Sequence, residues 1–293
     1  MKNVSLGEFY REIIANLTRG EVETPKFEAE ILLKHFAGVT KSEILCDFDK
    51  ILTKNQQKNV QKAIKKRLKN VPIQYILGEW EFYSLRLKVQ KGVLIPRAET
   101  ELLVDLACEI VQKHEKNVQK ANTLKILDLC CGSGCIGISI AKNCTTTRVY
   151  CADYYKTPLK ITRENAKLND VKIQIIKENA LKLPKIDEKF DIICCNPPYI
   201  GQGEKQDLDK HVLKEPHEAL FGGKNPLTFY ESIAKNWQKS LNKNGCLLFE
   251  VGINQAEKVA EILENNGFEN VEIVRDLNGI ERVVKSTYCG KKC

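Results

Sequence analysis

The chain has 293 residues, 43% hydrophobic and 29% charged, which describes an ordinary globular protein of two modest domains or one core with an appendage. Its net charge is +8, the first twenty residues alternate polar and apolar groups, and no segment approaches the ~18 consecutive apolar residues of a membrane span, so the cytoplasm is expected. Twelve cysteines without a C-x-x-C pair, and four histidines without zinc-site spacing to them, argue against a metal site or disulfide framework and for a reducing compartment.

Residues 1–78 read as a helical domain. Glu28, Ala29, Ile31, Leu32, Leu33, His35 and Phe36 fit one amphipathic segment, and Lys41 to Cys46 open a shorter turn. Thr53 is positioned as the N-cap of a basic helix. Lys54, Lys58, Lys62 and Lys66 recur every four residues, joined by Lys65, Arg67 and Lys69, with Val60, Ile64 and Leu68 on the opposite face. Such a stripe is either a solvated helix face or a surface for an acidic protein or RNA. Residues 79–97 form a linker, with Phe82 to Val89 and Gly92 to Ile95 as its two strands. Residues 98–293 make a catalytic domain, entered by a helix from Thr100 to His114 and a polar loop from Lys116 to Thr123.

The apolar run Leu124 to Leu129 opens into Cys130-Cys131-Gly132-Ser133-Gly134 and then a helical stretch, Cys135 to Ala141. Strand, glycine turn and helix form the first unit of a nucleotide-binding α/β domain, in which the backbone passes close to a ligand at a helix N-terminus. A second strand, Arg148 to Ala152, ends in Asp153, where a carboxylate can accept both hydroxyls of a ribose. Gly132-Ser133-Gly134-Cys135-Ile136-Gly137 also matches the dinucleotide fingerprint, with Asp153 at about the ~20-residue offset. Asp128 tips the choice. A carboxylate just before the loop repels a pyrophosphate but attracts the sulfonium and ammonium of S-adenosylmethionine.

A further apolar run, Phe190 to Cys195, ends in Asn196-Pro197-Pro198-Tyr199. Two prolines donate no N–H, so the strand cannot continue pairing. The prolines hold the Asn196 side chain and the Pro197 carbonyl as fixed acceptors, with Tyr199 as a flat wall. That arrangement suits a planar group carrying an NH2, either an amide or the exocyclic amine of a base. The tetrapeptide alone is equally a strand-ending turn. Cys130, Cys151, Cys194, Cys195 and Cys246 lie on or at the ends of these strands, where a thiol serves as a small hydrophobe. Cys289 and Cys293 form a frayed tail. Strands and helices alternate through about Gly252, followed by a helix near Gln255 to Asn266 and two more strands. The pattern implies a mostly parallel sheet with ligand over its carboxyl ends, where Gly132, Asp153 and Asn196 all fall.

With those residues in place, the chain resembles the peptide chain release factor glutamine N5-methyltransferases over nearly its whole length. The shared motifs are Arg67-Leu68 through Pro72 to Gly78, Glu81-Phe82, Val93-Leu94-Ile95-Pro96-Arg97-Ala98-Glu99-Thr100-Glu101, Glu215 to Gly223, Phe249-Glu250-Val251-Gly252 with Gln255, and Asp276-Leu277 to Arg282-Val283-Val284. The resemblance implies a Rossmann-like class I S-adenosylmethionine-dependent methyltransferase core with a small N-terminal helical domain. It also implies that the acceptor is the glutamine amide of the Gly-Gly-Gln loop of class-I release factors. Cofactor binding falls to Asp128, Cys130, Cys131, Gly132, Ser133, Gly134, Asp153, Asn179, Ala180 and Asn196. The acceptor falls to Asn196, Pro197, Pro198, Tyr199 and Glu215. No metal, membrane or nucleic-acid substrate is implied, and the chain has no insertion large enough for a base-reading domain.

The sequence departs from the family at Cys130, where the loop usually begins with Gly, so a backbone that tolerates a β-carbon is expected there. It departs again at Asn179 and Ala180, where Asp and a bulky residue usually meet the adenine. Asn179 can still accept the adenine amine, while Ala180 offers less stacking surface. Glu215-Pro216 and Gly222-Gly223 either border the acceptor cleft or form a structural loop. Arg97 and Glu101 either brace the linker against the cofactor site or pair with each other.

Overall fold

A computed structural model describes residues 4–117 and 123–290. Two compact units emerge, one running to Gly78 and including Asp209–Lys214, the other beginning at Glu79 and omitting that segment.

The first unit contains α1 (Leu6–Arg19), α2 (Pro25–Ala37), α3 (Lys41–Cys46), α4 (Lys54–Arg67) and α5 (Ile73–Leu77). Reciprocal caps start three of these helices: Ser5 with Glu8, Thr40 with Glu43, and Thr53 with Gln56. Leu6, Phe9, Ile13 and Leu17 of α1 pack with Leu32 and Leu33 of α2 and Val60 and Ile64 of α4. The basic stripe differs from expectation at two positions. Helical periodicity places Arg67 on the inward face with Val60, Ala63 and Ile64, where its Nε and Nη2 bind the buried Glu28 carboxylate at 2.7 and 3.0 Å. Leu68 caps α4 and stays 42% exposed. Lys54, Lys58, Lys62, Lys65, Lys66 and Lys69 remain exposed.

The second unit opens with an antiparallel hairpin, β1 (Glu79–Phe82) and β2 (Leu85–Lys88). Its pairing falls earlier than the sequence suggested, and Gly92 to Ile95 form no strand. The cause is a two-residue turn at Tyr83-Ser84, with φ of +50° and +59°, in a left-handed geometry usually marked by Asn or Gly. Glu101 holds that turn, accepting the Tyr83 N–H at 2.7 Å, and so does not pair with Arg97.

The remaining elements are α6 (Glu101–Asn117), β3 (Lys125–Leu129), α7 (Cys135–Asn143), β4 (Arg148–Asp153), α8 (Lys156–Leu168), β5 (Gln174–Lys177), β6 (Phe190–Cys195), β7 (Ile200–Gly201), α9 (His217–Leu220), β8 (Phe221–Gly223), α10 (Thr228–Trp237), β9 (Leu241–Glu250), α11 (Ala256–Asn265), β10 (Phe268–Arg275) and β11 (Glu281–Tyr288). Helix α6 reaches further than His114, and most of the expected polar loop, like Cys293, lies outside the described residues.

A seven-stranded sheet runs in the order β10-β11-β9-β6-β3-β4-β5. Strands β9, β6, β3, β4 and β5 are parallel, while β11 and β10 join antiparallel. Strand alternation divides the core. Ile126, Ile192 and Cys194 face one layer with Leu103, Val104 and Ile138, whereas Leu127, Ile193 and Cys195 face another with Tyr230, Trp237 and Val259. Helices therefore cover both faces, and the strand order reverses at β3, leaving a crevice at the carboxyl ends. Among the described residues no helix is long and apolar enough to cross a membrane, and no cluster of His, Cys, Asp and Glu could hold a metal.

Candidate active site

A cavity of about 210 Å³ lies over the carboxyl ends of β3, β4 and β6, entirely within the second unit. Its floor is the loop after β3. The Cys131 N–H donates to the Ala152 carbonyl at 2.9 Å, and the Gly134 N–H to the Cys131 carbonyl at 2.7 Å, which curls the loop over the sheet edge. Gly134 has φ +80°, and a β-carbon there would lie 2.6 Å from Thr162 Cγ2, so only glycine fits. Thr162 and Asn165 of α8 tie the loop from behind, donating to the Gly132 and Ser133 carbonyls at 3.1 and 3.0 Å.

Cys130 adopts φ +65°, contrary to the expectation of a backbone that suits a β-carbon. The loop keeps the left-handed turn that glycine would take without strain, and the cysteine carries a cost of roughly 1–2 kcal/mol.

Asp153 ends β4 and lines the cavity. Its Oδ2 accepts the Gly132 N–H at 3.1 Å and its Oδ1 the Tyr155 N–H at 2.9 Å. Burial raises its pKa despite those bonds. Each carboxylate oxygen keeps a further lone pair for a ligand hydroxyl.

Asp128 is placed differently from expectation. It is fully buried beneath α7, accepting the Gly137 N–H at 2.9 Å, and does not line the cavity. Alternation along β3 turns it toward the helix layer, away from the crevice. Burial, only partly opposed by that bond, pushes its carboxyl up to about 7. A direct attraction between Asp128 and a cationic ligand is therefore not part of the site.

The third wall follows β5. Asn179 Oδ1 accepts the Leu181 N–H at 3.0 Å, so one of its lone pairs is already used. Ala180 is buried, and its carbonyl accepts the Trp237 Nε1–H at 3.0 Å. Ala180 lines the cavity, and the apolar surface its small side chain lacks comes from its neighbour Leu181, which is 38% exposed and lines the cavity with Pro158 and Phe229. Tyr154, Tyr155 and Thr100 also border it. The Tyr pair directly after Asp153 was a signal available in the sequence. The distant Phe229 was not.

Asn196 and Pro198 line the cavity from β6, while Pro197 and Tyr199 do not. Asn196 Nδ2 donates to Thr100 Oγ1 at 3.2 Å, and no donor reaches Asn196 Oδ1 among the described residues. Tyr199 rests against Gly252, where a β-carbon would lie 3.0 Å from Tyr199 Cδ2, and its carbonyl accepts Gln255 Nε2 at 2.9 Å. The tyrosine thus packs into the core layer at its rim and does not stand as a cavity wall. Behind the tetrapeptide, Gly222 of β8 leaves no room for a side chain, since a β-carbon would lie 2.7 Å from the Pro198 carbonyl.

Glu215 is a brace and does not face the cleft. Its Oε2 accepts the Ile95 N–H at 3.0 Å and its Oε1 pairs with Arg97 Nη2 at 2.5 Å, with the carboxylate side chain 1% exposed. The residues that follow it, Pro216, Glu218 and Ala219, border the cavity.

The cavity fits a nucleoside-bearing methyl donor. A half-buried carboxylate stands where a ribose diol would be recognised, an apolar patch flanks it, and the glycine loop brings backbone close. A model of the methyltransferase small domain matches residues 103–225, and one of the PrmC N-terminal domain matches residues 8–78. A release factor glutamine methyltransferase of Thermodesulfovibrio yellowstonii is 37% identical over 258 residues, covering 88% of this chain and 90% of that protein. Another, of Clostridium botulinum, is 35% identical over 274 residues, covering 92% and 94%. Among solved structures, the hMettl16 catalytic domain bound to the MAT2A 3′UTR hairpin 6 shares the fold, with a TM-score of 0.54 at 13% identity over 83% of this chain and 86% of that one.

Proposed function

The chain belongs to the release factor glutamine methyltransferase family, and on that footing we propose that it methylates the side-chain amide nitrogen of the glutamine in the Gly-Gly-Gln loop of class-I release factors. S-adenosylmethionine, when bound, supplies a methyl group already activated by its sulfonium. The loop from Cys130 to Gly134, Asp153 and the segment from Asn179 to Leu181 hold that cofactor.

The observation that carries the acceptor assignment is the free Asn196 Oδ1 at the cavity, with Nδ2 tied back to Thr100. An amide nitrogen is a poor nucleophile because its lone pair is delocalised into its carbonyl. Asn196 Oδ1, at the cavity, accepts one N–H of the substrate amide, and the Pro197 carbonyl, which does not line the cavity, accepts the other where the acceptor approaches. Positive charge grows on that nitrogen as it attacks, so the two acceptors bind the transition state more strongly than the ground state. Holding the nitrogen in line with the methyl carbon does most of the remaining work. The product proton leaves to water, because an N-protonated amide is strongly acidic.

The N-terminal helical unit grips the folded release factor, since a small loop offers too little area for selective recognition. The exposed lysines of α4 steer an acidic face of that partner. Nucleic acid and membrane are not partners in this reading. Ten free thiols, from Cys46 to Cys246, suit a reducing cytoplasm. Incubating the enzyme and methyl-labelled cofactor with a purified class-I release factor, and separately with DNA and RNA, tests the assignment. Label should enter the protein alone.

A further inference from the structure

Glu250 is the last residue of β9, and the parallel register that pairs Cys195 with Phe249 brings it beside Asn196. It is 3% exposed, and its Oε2 has no hydrogen-bond partner. A buried carboxylate left in that condition needs an explanation, because desolvating it without pairing is costly. The Thr100 hydroxyl and the Asn196 side chain both lie within its hydrogen-bonding environment. Thr100 is itself 2% exposed and comes from the turn that precedes α6.

A chain of donors follows from these contacts. Asn196 Nδ2 donates to Thr100 Oγ1 at 3.2 Å, which uses a lone pair of the hydroxyl and turns its hydrogen elsewhere. An ionised carboxylate can only accept. With Glu250 ionised, a Thr100 hydrogen turned to that carboxylate leaves the hydroxyl's lone pairs to Asn196, whose amide then sits in one of its two flips. We propose that Thr100 and Glu250 form a buried relay that fixes the side-chain amide of Asn196 with its oxygen toward the acceptor. The inference rests on the methyl-transfer reading above and adds two positioning residues to it.

Protonation of Glu250 breaks the logic. A neutral carboxyl can donate to Thr100, the hydroxyl can then donate to Asn196, and the amide is free to turn its NH2 to the acceptor. Burial pushes the Glu250 carboxyl up to about 7, so the relay is set within the neutral range. The groups that face it are Arg282 from β11, Glu99 from the turn before α6, Tyr199 after β6, Tyr230 of α10 and Cys135 of α7. Arg282, which also pairs with Asp276 at 3.1 Å, favours the charged form of Glu250 but does not outweigh its burial.

The test compares wild type, Glu250→Gln, Thr100→Val and Thr100→Ser with intact release factor across pH 5.5 to 9. Wild-type kcat should rise with pH along a limb centred near 7. Glu250→Gln and Thr100→Val should lower kcat on the order of 10- to 100-fold, as for a misplaced reacting group, with KM for the cofactor nearly unchanged. The rising limb should vanish in Glu250→Gln, and Thr100→Ser, which keeps the hydroxyl, should restore activity. Side-chain amide exchange of Asn196, followed by NMR without ligand, should be slow above pH 7 in wild type and fast in Glu250→Gln. Wild-type kcat and pH profile in Glu250→Gln, or in Thr100→Val, would overturn the relay. If Glu250→Gln fails to fold, the Thr100 pair decides, because equal activity of Val and Ser overturns it too. Failure of the wild type to methylate any release factor refutes the functional reading instead, and the NMR exchange still reports on the relay.

Discussion

The Gly132 N–H donates to Asp153 Oδ2 across 3.1 Å, so the carboxylate at the end of β4 is locked to the loop after β3 before any ligand arrives. Its second oxygen is fixed by the Tyr155 N–H. On the proposed reading, such preorganisation lets Asp153 meet a ribose without moving. Asp153→Ala should weaken S-adenosylmethionine by about 1.5–3 kcal/mol, the range for hydrogen bonds to a charged group. Calorimetry checks it, and unchanged affinity would remove Asp153 from the site.

Cys130 holds a left-handed backbone at φ +65°. Cys130→Gly should relieve about 1–2 kcal/mol of strain, less about 0.5–1 kcal/mol of added chain entropy, for a small net gain in stability. Thermal unfolding should shift upward with cofactor affinity preserved. A lower melting temperature would mean that the thiol's contacts in the loop outweigh the strain.

Asp128 and Glu250 are both buried carboxyls raised to about 7. In the unfolded chain they ionise near their ordinary values, so between about pH 4 and 7 the native state holds more protons than the unfolded one. Stability should then fall as pH rises through that window, on the order of 1.4 kcal/mol per pH unit for each group. Asp276 and Glu188 are shifted downward and act at lower pH. Asp128→Asn keeps an acceptor for the Gly137 N–H and should flatten the slope of unfolding free energy between pH 5 and 7. An unchanged slope would contradict the assignment.

Arg67 and Glu28 form a buried pair joining α4 to α2. Arg67→Ala strands the Glu28 carboxylate and should destabilise the N-terminal unit by about 3–5 kcal/mol. Chemical denaturation of residues 1–78 within the full chain, read by local hydrogen exchange, would show it. A change under about 1 kcal/mol would place the pair with solvated surface bridges.

Much of this was legible in the sequence, and the gaps have physical causes. Thr53 as a cap, the strand into Gly132, and the stop at Asn196-Pro197 depend on local chemistry that a few residues determine. The hairpin register was missed because Tyr83-Ser84 makes a turn without the usual turn residues, held by Glu101. Arg67 and Leu68 were misassigned because a charge stripe hides which lysine neighbour finds a buried acid. Glu215 and the partnership of Arg97 depend on contacts up to 120 residues apart, which no local pattern carries, whereas the inward turn of Asp128 was readable in the alternation of β3. The addition of Leu181 beside Ala180 in the cavity lining follows from the chain's path after β5.

The most direct measurement is tandem mass spectrometry of a class-I release factor after incubation with S-adenosylmethionine and either wild type or Asn196→Ala. One methyl on the amide nitrogen of the Gly-Gly-Gln glutamine is expected with wild type. Asn196→Ala should slow its appearance by roughly two to three orders of magnitude, as for losing one preorganised contact in a transition-state site, with cofactor binding preserved. A methyl at another residue, or full activity in the variant, would contradict the account.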